Sequence, residues 1–140
     1  RQVVPGIVGG VAGGVGIVLI AAVSRTFLAE GAAERIAEFG KFFPLATRLL
    51  YGGVTEEVLL RWGFMTLLVW AAWRLFQKGR DEPSRAVFIG AIVLSSLVFA
   101  AGHLPVAFTL FPERGAGLMF FVIAGNSVFG LIAGYLYWKR

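Results

Sequence analysis

Three stretches of this chain, residues 2–24, 86–112 and 115–138, contain no charged side chain. At about 1.5 Å per helical residue, each is long enough to cross a hydrocarbon core of roughly 30 Å. A backbone crossing that core must satisfy its own N–H and C=O groups, which leaves helices or a closed barrel, and continuous apolar runs of this length without alternation specify helices. Residues 49–73 make a fourth run of similar length, interrupted by Glu56, Glu57 and Arg61. Composition agrees: 58% of residues are hydrophobic and 15% charged, whereas a soluble domain carries about a quarter charged residues. The expected fold is all-α, a polytopic transmembrane helix bundle forming one domain over residues 1–140, with spans at approximately 3–24, 49–73, 86–111 and 116–138. The chain is expected to be a multi-pass integral protein of the cell (inner) membrane.

The connecting segments fit that frame. A net charge of +5 would suit nucleic acid only if the basic residues formed a face on a soluble fold. Here they flank the apolar runs as membrane-surface anchors, so lipids are the expected partner and nucleic acid is not. The absence of cysteine excludes a disulfide framework and a thiolate metal site. Gly6, Gly10 and Gly14 repeat at the spacing that lets helices approach closely in lipid, and no Lys-Ser/Thr follows the glycine run as a phosphate-binding loop requires. Glu30, Glu34 and Glu38 form one stripe and Ile36, Phe39 and Phe43 another, which predicts a short interfacial amphipathic helix closed by Pro44. Asp81-Glu82-Pro83-Ser84 marks a turn between the second and third spans. The first run is too long for a cleaved signal peptide, and a start at Arg1 instead of Met is expected of a fragment or processed product. Lys and Arg number seven on the side of the N-terminus, second linker and C-terminus and five on the other side, which assigns the first set to the cytoplasm.

The charges inside the second span are the exception. An acidic or basic residue at mid-helix costs roughly 2.5–3.5 kcal/mol on insertion scales, and each large apolar residue returns about 0.3–0.6. Glu57 and Arg61 are four residues apart with the carboxylate on the N-terminal side, the favourable order for a helical ion pair. Glu56 is rotated by roughly 100° from Glu57 on an α-helix and cannot share that pair equally, so one carboxylate is left over. His103, the only histidine, lies in the third span between Gly102 and Pro105. The second and third spans run in opposite directions, which brings Glu56, Glu57 and His103 to a similar depth on one side. A carboxylate and an imidazole in a partly dry pocket can activate water, Glu as general base and His orienting the water or stabilising the oxyanion.

Two other classes use the same residues. A proton-coupled transporter also places charges within spans, but no repeat halves and no second charged span are present. A non-catalytic immunity or scaffold protein would keep the architecture without needing Glu56. Gly125-Asn126-Ser127 could suggest a serine nucleophile with His103 as base, but no glycine follows Ser127 directly. Asn126 and Ser127 are expected to hydrogen-bond between helices, with Asn126 also a candidate oxyanion donor. Ser95 and Ser96 are expected to bond to backbone or a neighbouring helix, and Phe99 to pack the turn below His103.

Glu56-Glu57-Val-Leu-Leu-Arg61 matches an EExxxR motif and Phe99-Ala-Ala-Gly-His103 an FxxxH motif; in these residues the chain resembles the CPBP (Abi) intramembrane proteases, which include CAAX prenyl endopeptidases and bacteriocin-processing or immunity proteins. The apolar, glycine-containing segment 129–139 is similar to the helix preceding that family's last motif. The resemblance implies an intramembrane endopeptidase acting on a peptide or lipid-modified protein, with Glu56 activating the water, Glu57 and Arg61 supporting it and His103 completing this half of the site. It also implies a site open to the cytosol, opposite to the charge count, so orientation stays open. The family's further motif, a second His followed by Asn or a similar residue one helix later, is expected to lie past Arg140. The family has been described both as metal-dependent and as using a glutamate-activated water. That makes a divalent metal, zinc, the candidate cofactor, while the residues present favour the metal-free route because catalytic zinc takes three protein ligands.

Overall fold

The computed structural model describes residues 3–26, 28, 30–112 and 114–139. Among them the chain is all-α. Its helices are α1 (Val3–Ser24), α2 (Ala32–Lys41), α3 (Leu45–Phe76), α4 (Arg85–Gly102), α5 (Leu104–Leu110) and α6 (Ala116–Trp138). Four segments are long and apolar enough to cross a membrane: α1, α3, α4 with α5, and α6. Their outward faces are Val, Leu, Ile, Phe and Trp, with Trp62 72% and Leu59 61% exposed. In water such a surface would aggregate, and in a bilayer it faces lipid. The protein is an integral membrane helix bundle.

Helix α6 is the centre of the bundle, and glycine sets its distance to both neighbours. A Cβ on Gly130 would lie 2.9 Å from Ser96 Cβ, and one on Gly134 would lie 3.1 Å from Ile92. These glycines let α6 lie directly against α4, where Ser95 and Ser96 turn their hydroxyls onto Ile92 O at 3.1 and 2.7 Å. On the opposite side α1 meets α6 through Gly9, Gly13 and Gly16, which face Leu136, Phe129 and Val128. This corrects the expected stripe: Gly6, Gly10 and Gly14 have nothing within 4 Å of the position a Cβ would take. Both rows have small-residue spacing, and the protruding side chains of α6 select the one that packs.

Helix α3 begins at Leu45 and runs to Phe76, so its carboxylates lie further from its start than a span opening at residue 49 implies. Two stretches, Arg48–Thr55 and Val58–Met65, are π-helical. The Glu56 N–H donates to Tyr51 O, and the hydroxyls of Thr55 and Thr66 donate to the carbonyls of Leu50 and Arg61 at 3.0 and 2.9 Å. Such turns are rare and concentrate at functional sites. At its far end α3 packs Met65 against Ala91 and Ile92 of α4. The following turn is fixed by Trp73 Nε1, which donates to Arg80 O and Asp81 O, each at 3.1 Å. Ser84 then caps α4 by accepting from Val87 N. Helix α2 ends at Lys41, ahead of Pro44, and Ala32 packs with Ala107, Phe111, Leu118 and Val122.

Candidate active site

The third apolar run is broken at His103. The pyrrolidine of Pro105 has no N–H to continue the helical ladder, and the chain restarts as α5 with proline in its first turn. At the break the His103 N–H bonds to Ala100 O at 3.1 Å, so the carbonyl of Phe99, its α-helical partner, is free for a side chain. Imidazole Nδ1 takes it at 2.9 Å. A carbonyl only accepts, so Nδ1 carries the proton and Nε2 of the neutral ring is free to accept. The imidazole also meets the Phe99 ring edge to face, 4.7 Å between centroids.

His103 and Glu56 border one cleft of about 740 Å³ between α2, α3, α4, α5 and α6, with Ile17 of α1 also in its lining. Apart from Tyr51, Glu56, His103 and Asn126, its lining side chains are apolar, with Ile36 and Phe39 of α2 and Phe43 just beyond it among them. Glu56 projects above Gly52, where a Cβ would approach its Oε2 at 3.7 Å. Asn126 Nδ2 donates to Val122 O of its own helix at 2.8 Å, which leaves one amide hydrogen for the cleft. That bond within its own helix stands where an interhelical one was expected, the carbonyl one turn back being a local acceptor for a mid-helix amide. Ser127 likewise makes no interhelical bond: its hydroxyl is buried without a partner among the described residues. It is not part of the cleft wall.

Glu57 and Arg61 take the other side of α3. Arg61 Nε lies 3.4 Å from Glu57 Oε2, the pair expected at this spacing. Arg61 is 2% exposed, donates from Nη2 to Gly130 O at 3.3 Å and sets its guanidinium over the Phe99 ring at 5.5 Å. A contiguous row therefore runs from Glu57 through Arg61 and Phe99 to His103. Glu57 does not enter the cleft. It lines a separate pocket of about 340 Å³ with Gly6, Gly9 and Gly10 of α1 and Phe129 and Tyr137 of α6. Glu56 and His103 thus border the same cleft, whereas Glu57 and Arg61 do not.

Tyr51 and the aromatic wall of α2 were not legible as site residues. Tyr51 lies five residues before Glu56, the interval of a π-turn, which α-helical periodicity does not pick out. Among the described residues no three His, Cys, Asp or Glu side chains gather as a metal site needs. Glu56 and His103 supply two donors where catalytic zinc takes three. These two donors alone do not make a catalytic zinc site.

A family model described as type II CAAX prenyl endopeptidase Rce1-like matches residues 38–140. No curated protein and no solved structure matches the chain. The matched stretch starts within α2 and contains all four polar residues of the cleft, while α1 lies outside it. Helices placing those residues in a membrane-spanning bundle, together with a match over most of the chain, give one conclusion: the chain belongs to the Rce1-like type II CAAX prenyl endopeptidases, a family of membrane proteases.

Proposed function

We propose that this protein is an intramembrane endopeptidase of the cell (inner) membrane that hydrolyses a peptide bond in a lipid-modified protein near the membrane surface. Glu56 removes one proton from a water molecule while His103 Nε2 accepts the hydrogen bond of the other, which aims the oxygen lone pair at the scissile carbonyl. Attack forms the carbon–oxygen bond and moves charge onto the carbonyl oxygen, to which the remaining Asn126 amide hydrogen donates. Glu56 then returns the proton to the departing amine as the carbon–nitrogen bond breaks. The apolar walls suit a lipid-modified chain terminus, and their low polarity strengthens the interactions among the few polar groups. The observation that carries this reading is the shared cleft: one carboxylate and the only imidazole of the sequence converge from two helices on an otherwise apolar space.

The test is cleavage of a farnesylated C-terminal peptide by the protein reconstituted in liposomes. Glu56→Gln and His103→Ala are each expected to lower kcat by about 100-fold or more, the usual contribution of a positioned acid or base. Turnover that survives both substitutions would overturn the assignment, and substrate flux without cleavage would favour transport.

A further inference from the structure

Four polar side chains border the apolar cleft, and the proposed hydrolysis uses three of them. Tyr51 is the fourth. Its place at the cleft follows from the local hydrogen bonding of α3. Five residues carry an α-helix through about 500°, which would leave Tyr51 and Glu56 roughly 140° apart. Arg48–Thr55 is π-helical instead, and the Glu56 N–H closes the wider turn on the Tyr51 carbonyl itself, so that residues five apart come back toward one side. Both residues accordingly border the same space. Tyr51 is 62% exposed, and among the described residues no group forms a hydrogen bond with its hydroxyl. An O–H bordering an apolar space within a bilayer is open to any acceptor that a ligand brings.

Side chains on a helix lean toward its N-terminus, and Glu56 does so, with Oε2 3.7 Å from the position a Gly52 Cβ would take. Tyr51 stands nearer the N-terminal end of α3 than Glu56, by at most about 7.5 Å along the axis for five residues. An extended peptide advances about 3.3 Å per residue, so that interval spans roughly two residues of a bound chain. A peptide drawn into an apolar cleft loses water from its carbonyls, which is costly unless the protein supplies donors. We infer that Tyr51 is a substrate-binding residue whose phenolic O–H donates to a backbone carbonyl of the bound peptide about two residues from the scissile bond. The inference rests on the cleft being the substrate site of the proposed protease, and it gives that site a register along the peptide.

Binding of a farnesylated C-terminal peptide is measured in liposomes with the full chain carrying Glu56→Gln, so that the peptide stays intact, with and without Tyr51→Phe. Phenylalanine keeps the ring and removes only the hydroxyl. The Kd for the peptide is expected to rise about 3- to 10-fold, the range of one neutral hydrogen bond, with thermal stability unchanged. S-farnesylcysteine has no neighbouring peptide carbonyl, and the two proteins should bind it alike. An unchanged Kd for the peptide would overturn the inference and make Tyr51 an aromatic anchor at the membrane interface. An equal loss for both ligands would also overturn it, because the hydroxyl would then act on the lipid chain or the cleft shape. The Tyr51 effect without cleavage by the parent protein would remove the protease reading alone. Cleavage with a silent Tyr51→Phe would remove this inference alone, and no binding of the peptide by either protein would remove both.

Discussion

Glu56 and Glu57 are adjacent in sequence and of one chemical kind, yet they line different pockets. Glu56 stands over Gly52 at a large apolar cleft shared with His103 and Asn126. Glu57 is paired with Arg61, which is anchored on the α6 backbone at Gly130. Among the described residues Glu56 has no ion-pair partner and borders the apolar cleft, whereas Glu57 is paired with Arg61 and tied to the packing of the bundle. A charge in a membrane span must be offset by structure or used in chemistry, and this pair shows one residue in each condition.

The largest effect expected on the Glu57 side is on stability. Arg61→Leu leaves the half-buried Glu57 carboxylate uncompensated within a span and should lower stability by about 3 kcal/mol, the lower end of the loss for a fully buried pair, read as loss of thermal stability in detergent. Adding Glu57→Gln to that variant should recover most of the loss, and a double-mutant cycle measures the coupling. If both single changes are silent, the pair is not structural and the contrast between the two carboxylates fails.

On the Glu56 side the expected effects are on turnover. Asn126→Leu should lower kcat by about 10²- to 10³-fold, the usual loss for a single oxyanion donor, with thermal stability close to the parent because the residue bonds only within its own helix. An unchanged kcat would remove Asn126 from the site.

Phe99 connects the two sides through its contacts with Arg61 and His103. Phe99→Leu should lower kcat by about tenfold, equivalent to the roughly 1.4 kcal/mol of one aromatic contact, and leave KM unchanged, since the residue positions the imidazole. Phe99 also lines the cleft, and a rise in KM at constant kcat would instead show that it acts there only as a wall and does not position the imidazole.

The fold class was legible because insertion into lipid is a matter of apolar length and internal hydrogen bonding, both local to each run. The Glu57–Arg61 pair was legible for the same reason, being four residues apart on one helix. Two antiparallel spans and one histidine pointed to a common level for Glu56 and His103, and both residues border one cleft. What could not be read was decided between helices: Gly9, Gly13 and Gly16 pack because Leu136, Phe129 and Val128 protrude from α6. The π-turns around Glu56 depend on which carbonyls the Thr55 and Thr66 hydroxyls occupy. Hydrophobic periodicity also did not show that the apolar face of α2 lines the cleft.

The most direct test compares the two neighbouring carboxylates in one assay. Glu56→Gln and Glu57→Gln are purified in parallel, matched for folded fraction by thermal unfolding, and assayed for single-turnover cleavage of a farnesylated C-terminal peptide. Glu56→Gln should fold like the parent and lose about 100-fold or more of its rate, whereas Glu57→Gln should unfold at lower temperature and keep most of its rate per folded molecule. A Glu57→Gln enzyme that is stable but dead, beside a Glu56→Gln enzyme that still cleaves, would contradict the account.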